Sequence, residues 1–238
     1  KNGESAQWTF EQLADASGKL ANYFTSRGLK AGDCVAGLLP RTPELLITIL
    51  ATWRMGAIYQ PLFTAFESKA IEHRVNTAQT QFIVTNEEQR SKLNGVAVPH
   101  ILTVHQTQTL SHQDDDFWTE LSQQSESFEP VMQTFEDDFL MMFTSGTTGL
   151  AKSVPVPLKA VLAFKGYMTH AVDLREEDSF WNLADPGWAY GLYYGITGPL
   201  SLGHSIIMDE RAFSVDNAVQ VIQKYKVSNL TGSPTAFR

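Results

Sequence analysis

Short apolar runs and helix-spaced apolar residues alternate along this chain from end to end, and that alternation limits the fold more than any other feature. Leu13, Ala16, Leu20 and Phe24 recur at helical spacing behind a capping box of Thr9 and Gln12, and Gly28 stops the helix. Residues 35–39 read as a strand. Pro43 suits the first turn of a helix capped by Thr42, with Leu46, Ile49, Leu50 and Trp53 on one face. Ile58–Pro61 is a short strand, a helix from Glu67 carries Ile71, Val75 and Ala78, and residues 81–85 and His100–Val104 are further strands. The polar stretch 106–133 is the best linker candidate, and its Phe117, Trp118 and Leu121 form a short helix docked on the surface. Beyond it, residues 139–143, 180–183, 205–208 and 228–230 read as strands. A helix spans 158–170, and another is capped by Ser214 and carries Val215, Val219 and Ile222. Strands spaced by helices predict an α/β fold of mainly parallel sheets flanked by helices. The linker divides it into a first α/β subdomain over 1–130 and a second, incomplete one over 131–238.

The run Thr144-Ser145-Gly146-Thr147-Thr148-Gly149-Leu150-Ala151-Lys152 reads as a loop built to hold phosphate. It directly follows the apolar stretch 139–143, as a buried strand opening into a loop would. Glycine permits positive φ, so successive N–H groups can turn toward one anion, while hydroxyls and a lysine add donors. Such a stripe of donors suits a polyphosphate better than a single carboxylate. A Walker loop would need Gly directly before the Lys and a helix after it; here Ala151 precedes Lys152, and Pro155 and Pro157 follow. Two prolines at that spacing break a helix, so the chain continues extended or in a turn. A nucleophile elbow fails as well, because no glycine stands two residues before Ser145.

At these residues the chain resembles the AMP-forming adenylating enzymes: acyl-CoA synthetases, luciferase and the adenylation domains of peptide synthetases. Their Thr-Ser-Gly-(Thr/Ser)-Thr-Gly signature is matched throughout 144–149, with Lys152 in register. Ala151 stands where the family usually has Pro, Ser153 where it has Gly, and Pro155 and Pro157 where it often has His. The segments Trp8-Thr9-Phe10-Glu11-Gln12-Leu13, Gly28-Leu29-Lys30-Ala31-Gly32-Asp33 and Arg54-Met55-Gly56-Ala57-Ile58-Tyr59-Gln60-Pro61-Leu62 are similar to family segments in the same order. Residues 59–66 and 184–200 look like the acetyl- and short- or medium-chain acyl-CoA branch.

The resemblance implies the large N-terminal domain of the adenylate-forming fold and an acid–CoA ligase. Such an enzyme joins a short- to medium-chain carboxylate to ATP as acyl-AMP, and CoA then displaces AMP. It further implies that Ser145, Gly146, Thr147, Thr148, Gly149 and Lys152 hold the β- and γ-phosphates, while Thr144 sits closest to Mg²⁺ and the α-phosphate. Thr144 and Lys152 are the catalytic candidates. Trp188, Ala189 and Tyr190 are implied to line the acyl pocket, with Trp188 as a wall and Tyr190 favouring short acids. Ser233, Pro234 and Thr235 are implied to lie near the adenylate, Ser233 replacing the usual Ala. The family's adenine, ribose and further Mg²⁺ motifs, and its C-terminal domain, do not occur in these 238 residues. The expectation is therefore an N-terminal segment inactive by itself. The alternative is a truncated, non-catalytic relative that binds nucleotide or acyl group.

Composition narrows the remaining classes. With 43% hydrophobic and 18% charged residues, the chain reads as a globular protein. A net charge of −8 argues against sequence-independent nucleic-acid binding, which needs basic surface to replace counterions. The acidic clusters 114–116 and 136–138 read as solvated faces and helix starts, and no stretch is long and apolar enough for a membrane span. The single cysteine, Cys34, excludes an internal disulfide, reads as a small buried residue, and fits a cytoplasmic setting. All six histidines read as structural or surface residues. In the full-length enzyme, Thr147→Val is expected to slow adenylation, and unchanged ATP–pyrophosphate exchange would remove that residue from the phosphate grip.

Overall fold

The computed structural model describes residues 5–105, 114–144 and 149–237. These form two compact units, one over Ala6–Leu158 and one built from Ser5 and the residues from Lys159 onward. The α/β expectation holds.

In the first unit, helix α1 (Phe10–Ser26) begins with the capping box read from the sequence: Gln12 N–H donates to Thr9 Oγ1 at 3.1 Å and Thr9 N–H to Gln12 Oε1 at 2.8 Å. It ends at Gly28, whose φ of +87° lets Leu29 N–H reach back to the Phe24 carbonyl at 3.1 Å. Strand β1 (Cys34–Leu38) is buried along its whole length. Helix α2 (Pro43–Arg54) starts on proline, but Thr42 makes no side-chain cap bond. Its burial is wider than the single face expected: Leu45, Leu46, Ile47, Thr48, Ile49, Ala51 and Thr52 are all buried, while Leu50 and Trp53 are only half-buried. The buried Thr48 and Thr52 hydroxyls donate to carbonyls one turn back, at 2.7 Å each, so neither is left unpaired.

The chain then alternates through β2 (Ile58–Pro61), α3 (Ser68–Thr77), β3 (Phe82–Asn86), the single turn α4 (Glu87–Arg90) and β4 (His100–Val104). Strand β5 (Asp115–Asp116), helix α5 (Phe117–Ser122) and strands β6 (Asp138–Thr144) and β7 (Lys152–Pro157) complete the unit. The seven strands lie in the order β5-β4-β3-β1-β2-β6-β7, every neighbouring pair parallel except the antiparallel β6–β7. Between the sheet and α3, Ala36, Leu38, Leu62, Ile71, Val75, Ile83 and Leu93 form one apolar cluster. Residues 131–158, grouped by sequence with the second subdomain, supply β6 and β7 to this sheet.

The described part of the expected linker is packed. Asn22 Nδ2 donates to the carbonyls of Ser125 at 2.7 Å and Ser127 at 2.9 Å, and Val131 N–H donates to the Arg54 carbonyl at 2.8 Å. Phe117 and Leu121 of α5 are fully buried, so this helix is part of the core and not a surface addition. The acidic cluster before it is not simply solvated. Asp114 takes a bidentate pair from Arg90, Asp115 accepts from Tyr23 Oη and Arg27, each at 2.6 Å, and only Asp116 acts as a helix start, capping Thr119 N–H at 2.8 Å. Burial against Asp115 holds the Tyr23 phenol well above its ordinary pKa. Cys34 is buried as read, its thiol pushed up to about 12 by burial, which keeps it protonated and unreactive.

The second unit contains α6 (Ala160–His170), β8 (Phe180–Asn182), α7 (Ala189–Leu192), α8 (Gly198–Ser201), α9 (Val215–Tyr225) and β9 (Asn229–Thr231). Strands β8 and β9 pair in parallel. The strand expected over 205–208 reduces to one bridge between Ile207 and Trp181. Ser214 caps α9 as read, at 3.1 Å from Asn217 N–H, yet the buried residue is Val221. Val215 is 71% exposed and Val219 44% exposed, because the packed face is rotated toward Ala218, Val221 and Ile222. Between α7 and α8, residues Tyr193–Thr197 wind as one π-helical turn ahead of Pro199, and the Thr197 hydroxyl donates to the Leu192 carbonyl at 3.0 Å.

Two helical glycines separate backbone propensity from packing. A Cβ on Gly18 would stand 2.0 Å from the Glu126 carbonyl oxygen, whereas one on Gly166 would meet nothing within 4 Å. Gly18→Ala is therefore expected to lower the melting temperature, at a cost of about 1–3 kcal/mol for overpacking. Gly166→Ala should raise it, by about 0.5–1 kcal/mol of helix propensity. Thermal unfolding of the two variants checks both signs.

Candidate functional site

The antiparallel hairpin β6–β7 flanks the loop that the sequence suggests for phosphate. Its ladder runs from Leu140↔Val156 to Thr144↔Lys152, so the two catalytic candidates face each other as the last pair before the loop. Directly paired residues of an antiparallel ladder project to the same face with Cα atoms about 4.5–5.5 Å apart, so the Thr144 hydroxyl and the Lys152 side chain share one side of the loop mouth. Both are exposed. The prolines fit because β7 is an edge strand, where a missing N–H breaks no inner ladder. This confirms the extended continuation read from Pro155 and Pro157. Gly149 takes φ +91°, the left-handed conformation that glycine was expected to supply. Ser145, Gly146, Thr147 and Thr148 lie outside the described residues.

Helix α3 braces the hairpin at both ends of the loop, through two residues that the sequence pattern did not single out. At the exit, His73 Nε2 lies 2.7 Å from the Ala151 carbonyl oxygen, one residue before Lys152. A carbonyl only accepts, so Nε2 carries the hydrogen. At the entry, the Arg74 guanidinium lies 5.6 Å from the ring centre of Phe143, one residue before Thr144, and 4.1 Å from that of Phe66. Burial lowers the Arg74 pKa from its ordinary value, but a guanidinium stays charged across the physiological range. Gln60 fixes α3 to the sheet: its Nε2 donates to the Arg74 carbonyl at 3.1 Å, and its Oε1 accepts from Thr80 Oγ1 at 2.6 Å. In the sequence, Glu72-His73-Arg74 between Ile71 and Val75 reads only as the solvent face of a helix. No spacing rule links it to residue 151.

The acyl-pocket candidates belong to the second unit. Asp185 folds the preceding turn, accepting from Gly187 N–H at 2.8 Å through its side chain and from Trp188 N–H at 3.0 Å through its carbonyl. Gly191 allows α7 to press onto that turn, since a Cβ there would lie 2.2 Å from the Asp185 carbonyl oxygen. Trp188 stands at the start of α7, about half exposed, with Ala189 and Tyr190 half-buried in its first turn. Tyr190 meets Tyr194 edge-on at 5.3 Å between ring centres, and Tyr194 stacks on Tyr167 at 4.0 Å. Burial first, and then the Tyr167 hydroxyl, push the Tyr190 phenol up to about 12, so it remains a neutral hydroxyl at physiological pH. Ser233, Pro234 and Thr235 follow β9 and are exposed, with Pro234 opening a short 3₁₀ turn.

The family model of the AMP-binding enzyme matches residues 2–238. The chain belongs to the AMP-binding enzyme family. It is 28% identical to an acetyl-coenzyme A synthetase of Marinomonas sp. over all of its own length and 40% of that protein's. An acetyl-coenzyme A synthetase of Streptomyces avermitilis is 32% identical over 99% of this chain, again 40% of the relative. This member thus spans about 40% of the length of the curated relatives it matches. The crystal structure of a Brucella canis acyl-CoA synthetase superposes with TM-score 0.94 at 51% identity, over 98% of this chain and 43% of that one. An anthranilate CoA ligase, AuaEII, crystallised with anthranoyl-AMP, superposes with TM-score 0.91 over 98% of this chain and 46% of its own, at 20% identity, a likeness of fold alone. Among the described residues of this AMP-binding family member, no helix is long and apolar enough to cross a membrane.

The brace makes a specific prediction for the full-length protein. His73→Phe keeps ring volume but removes the donor to Ala151, a bond worth about 1 kcal/mol net, so adenylation should slow roughly fivefold. The melting temperature should move little. Stopped-flow measurement of pyrophosphate release reads the rate, and an unchanged rate would remove α3 from the positioning of Lys152.

Proposed function

We propose that this chain is the N-terminal portion of an ATP-dependent, AMP-forming acid–CoA ligase acting on a short- to medium-chain carboxylate. The observation that carries the reading is the Thr144↔Lys152 pair closing a loop of family signature, on a fold shared at 51% identity with an acyl-CoA synthetase. The curated relatives named acetyl-coenzyme A synthetase support the acyl-CoA branch.

The described residues fit a triphosphate. A cation on one strand and a hydroxyl on its partner flank the loop mouth, and Gly149 turns the backbone in the left-handed sense between them. In the proposed reaction, the carboxylate oxygen attacks the α-phosphorus of ATP and the bond to pyrophosphate breaks. The nucleophile is already ionised and needs no general base, so the protein's work is positioning and neutralising charge. Lys152, with Ser145, Thr147, Thr148 and the glycine amides, holds the β- and γ-phosphates as the leaving group gains charge. Thr144 lies beside the α-phosphate, where Mg²⁺ arrives with the nucleotide. Trp188, Ala189 and Tyr190 receive the acyl chain, and Ser233, Pro234 and Thr235 border the adenylate. CoA thiol then attacks the acyl carbonyl and AMP leaves. A cytoplasmic setting suits these substrates.

In the full-length enzyme, Lys152→Met should reduce ATP–pyrophosphate exchange about 10–150-fold, the loss of one charged phosphate contact of about 1.5–3 kcal/mol. Exchange measured across a panel of short and medium acids tests the substrate class at the same time. Wild-type exchange with no acid, or an unaffected variant, would overturn the assignment.

A further inference from the structure

Tyr190 is the acyl-pocket candidate whose bulk favours short acids, and a tyrosine sets such a limit only if its ring cannot turn aside. An exposed side chain changes rotamer within nanoseconds. The packing of the second unit decides between a movable ring and a fixed one. The Tyr190 ring meets Tyr194 edge-on, with centres 5.3 Å apart. Tyr194 in turn stacks on Tyr167 at 4.0 Å and meets Phe164 edge-on at 5.9 Å. Phe164 is buried, and Tyr167 and Tyr194 both pack on the apolar cluster of Met168, Leu174 and Phe180. The ring against which Tyr190 leans is therefore tied to the core of this unit, where close packing leaves little room to move.

The hydroxyl end of the ring is held as well. Its hydrogen-bonding neighbours are Tyr167 of α6 and Thr231 of β9. A neutral phenol can donate to one neighbour and accept from the other, which suits one ring position. Swinging the ring aside would give up these partners and the edge contact with Tyr194 together. The backbone beneath it is also fixed, because Gly191 lies flush on the Asp185 turn and Leu192 N–H donates to the Trp188 carbonyl at 2.9 Å. A movable ring would admit each longer acid at a small loss. A fixed ring refuses at one chain length, because overpacking a rigid wall is costly.

Resting on the ligase reading, we propose that Tyr167 and Tyr194 are positioning residues that lock Tyr190 as a rigid end wall of the acyl pocket, so that the enzyme refuses acids above one sharp chain length. Tyr167 acts twice, through its hydroxyl on the Tyr190 hydroxyl and through its ring on Tyr194. Neither residue needs to touch the acid. Each sets specificity by holding the residue that does.

The test uses the full-length enzyme and straight-chain acids from acetate to octanoate, with kcat/KM for each read by ATP–pyrophosphate exchange. The wild type should show a step, a fall of about tenfold or more over a single added methylene. Tyr190→Ala should move that step toward longer acids. Tyr167→Phe and, independently, Tyr194→Leu should each raise kcat/KM for the first refused acid about fivefold relative to the last accepted one, mainly by lowering KM. Should Tyr194→Leu not fold, the near-isosteric Tyr167→Phe carries the test alone. A gradual decline with no step, a step that Tyr190→Ala leaves in place, or support variants that keep the wild-type ratio or slow all acids alike would overturn the lock while leaving the ligase reading intact. Failure of every acid to support exchange would overturn the ligase reading and the lock together.

Discussion

The pairing of β6 with β7 is the interaction on which the functional architecture depends. Among the described residues it is the single antiparallel contact in a seven-stranded sheet, and it exists because the chain leaves β6 through a loop and returns directly beside it. A parallel neighbour would need a crossover of a dozen or more residues and would carry the loop's two ends apart. The hairpin instead brings Thr144 and Lys152 opposite each other across seven intervening residues, 145–151. The positions of the hydroxyl and the cation are therefore set by backbone hydrogen bonds of the hairpin.

That hairpin is held by the sheet below and by α3 beside it. Gln60 joins β2 to α3 and to Thr80, and α3 reaches the two ends of the loop through Arg74 at Phe143 and His73 at Ala151. Catalysis by positioning tolerates little slack, because a displacement of about 1 Å can cost 10²-fold in rate. A brace at both loop ends, anchored through a buried glutamine, is the kind of support such a mechanism requires. The aromatic group around Tyr190 has a different character: stacked and edge-on rings around a neutral phenol. In the proposed reaction, charge handling falls to the hairpin and shape selection to the rings.

Local chemistry made much of this fold legible. The capping box of α1, the glycine stop after it, the strand Ile58–Pro61 and the extended path through Pro155 and Pro157 depend on residues a few positions apart, so sequence reading recovers them. What was missed depends on partners far along the chain. Residues 114–133 look like a polar linker because their ties run to Asn22, Arg54, Tyr23 and Arg90, none of which is near in sequence. Helix α9 has the right period, but which of its apolar residues is buried depends on the face it turns to its neighbours. In the candidate site, the loop and Lys152 are visible from residue type and spacing, whereas Trp188, Ala189 and Tyr190 come only from the family resemblance. His73 and Arg74 are not, since an ordinary helix face carries no signal until the sheet assembles.

The central claim is that a carboxylate attacks the α-phosphorus held beside this hairpin, and an oxygen label follows that bond directly. The full-length enzyme would be supplied with an ¹⁸O-labelled carboxylic acid that it activates, ATP and CoA, and the products read by mass spectrometry. Attack at the α-phosphorus, followed by thiol attack at the acyl carbon, leaves one acid oxygen on AMP, so AMP carrying a single ¹⁸O is the predicted result. Label in inorganic phosphate with ADP as the nucleotide product, or unlabelled AMP, would contradict the account.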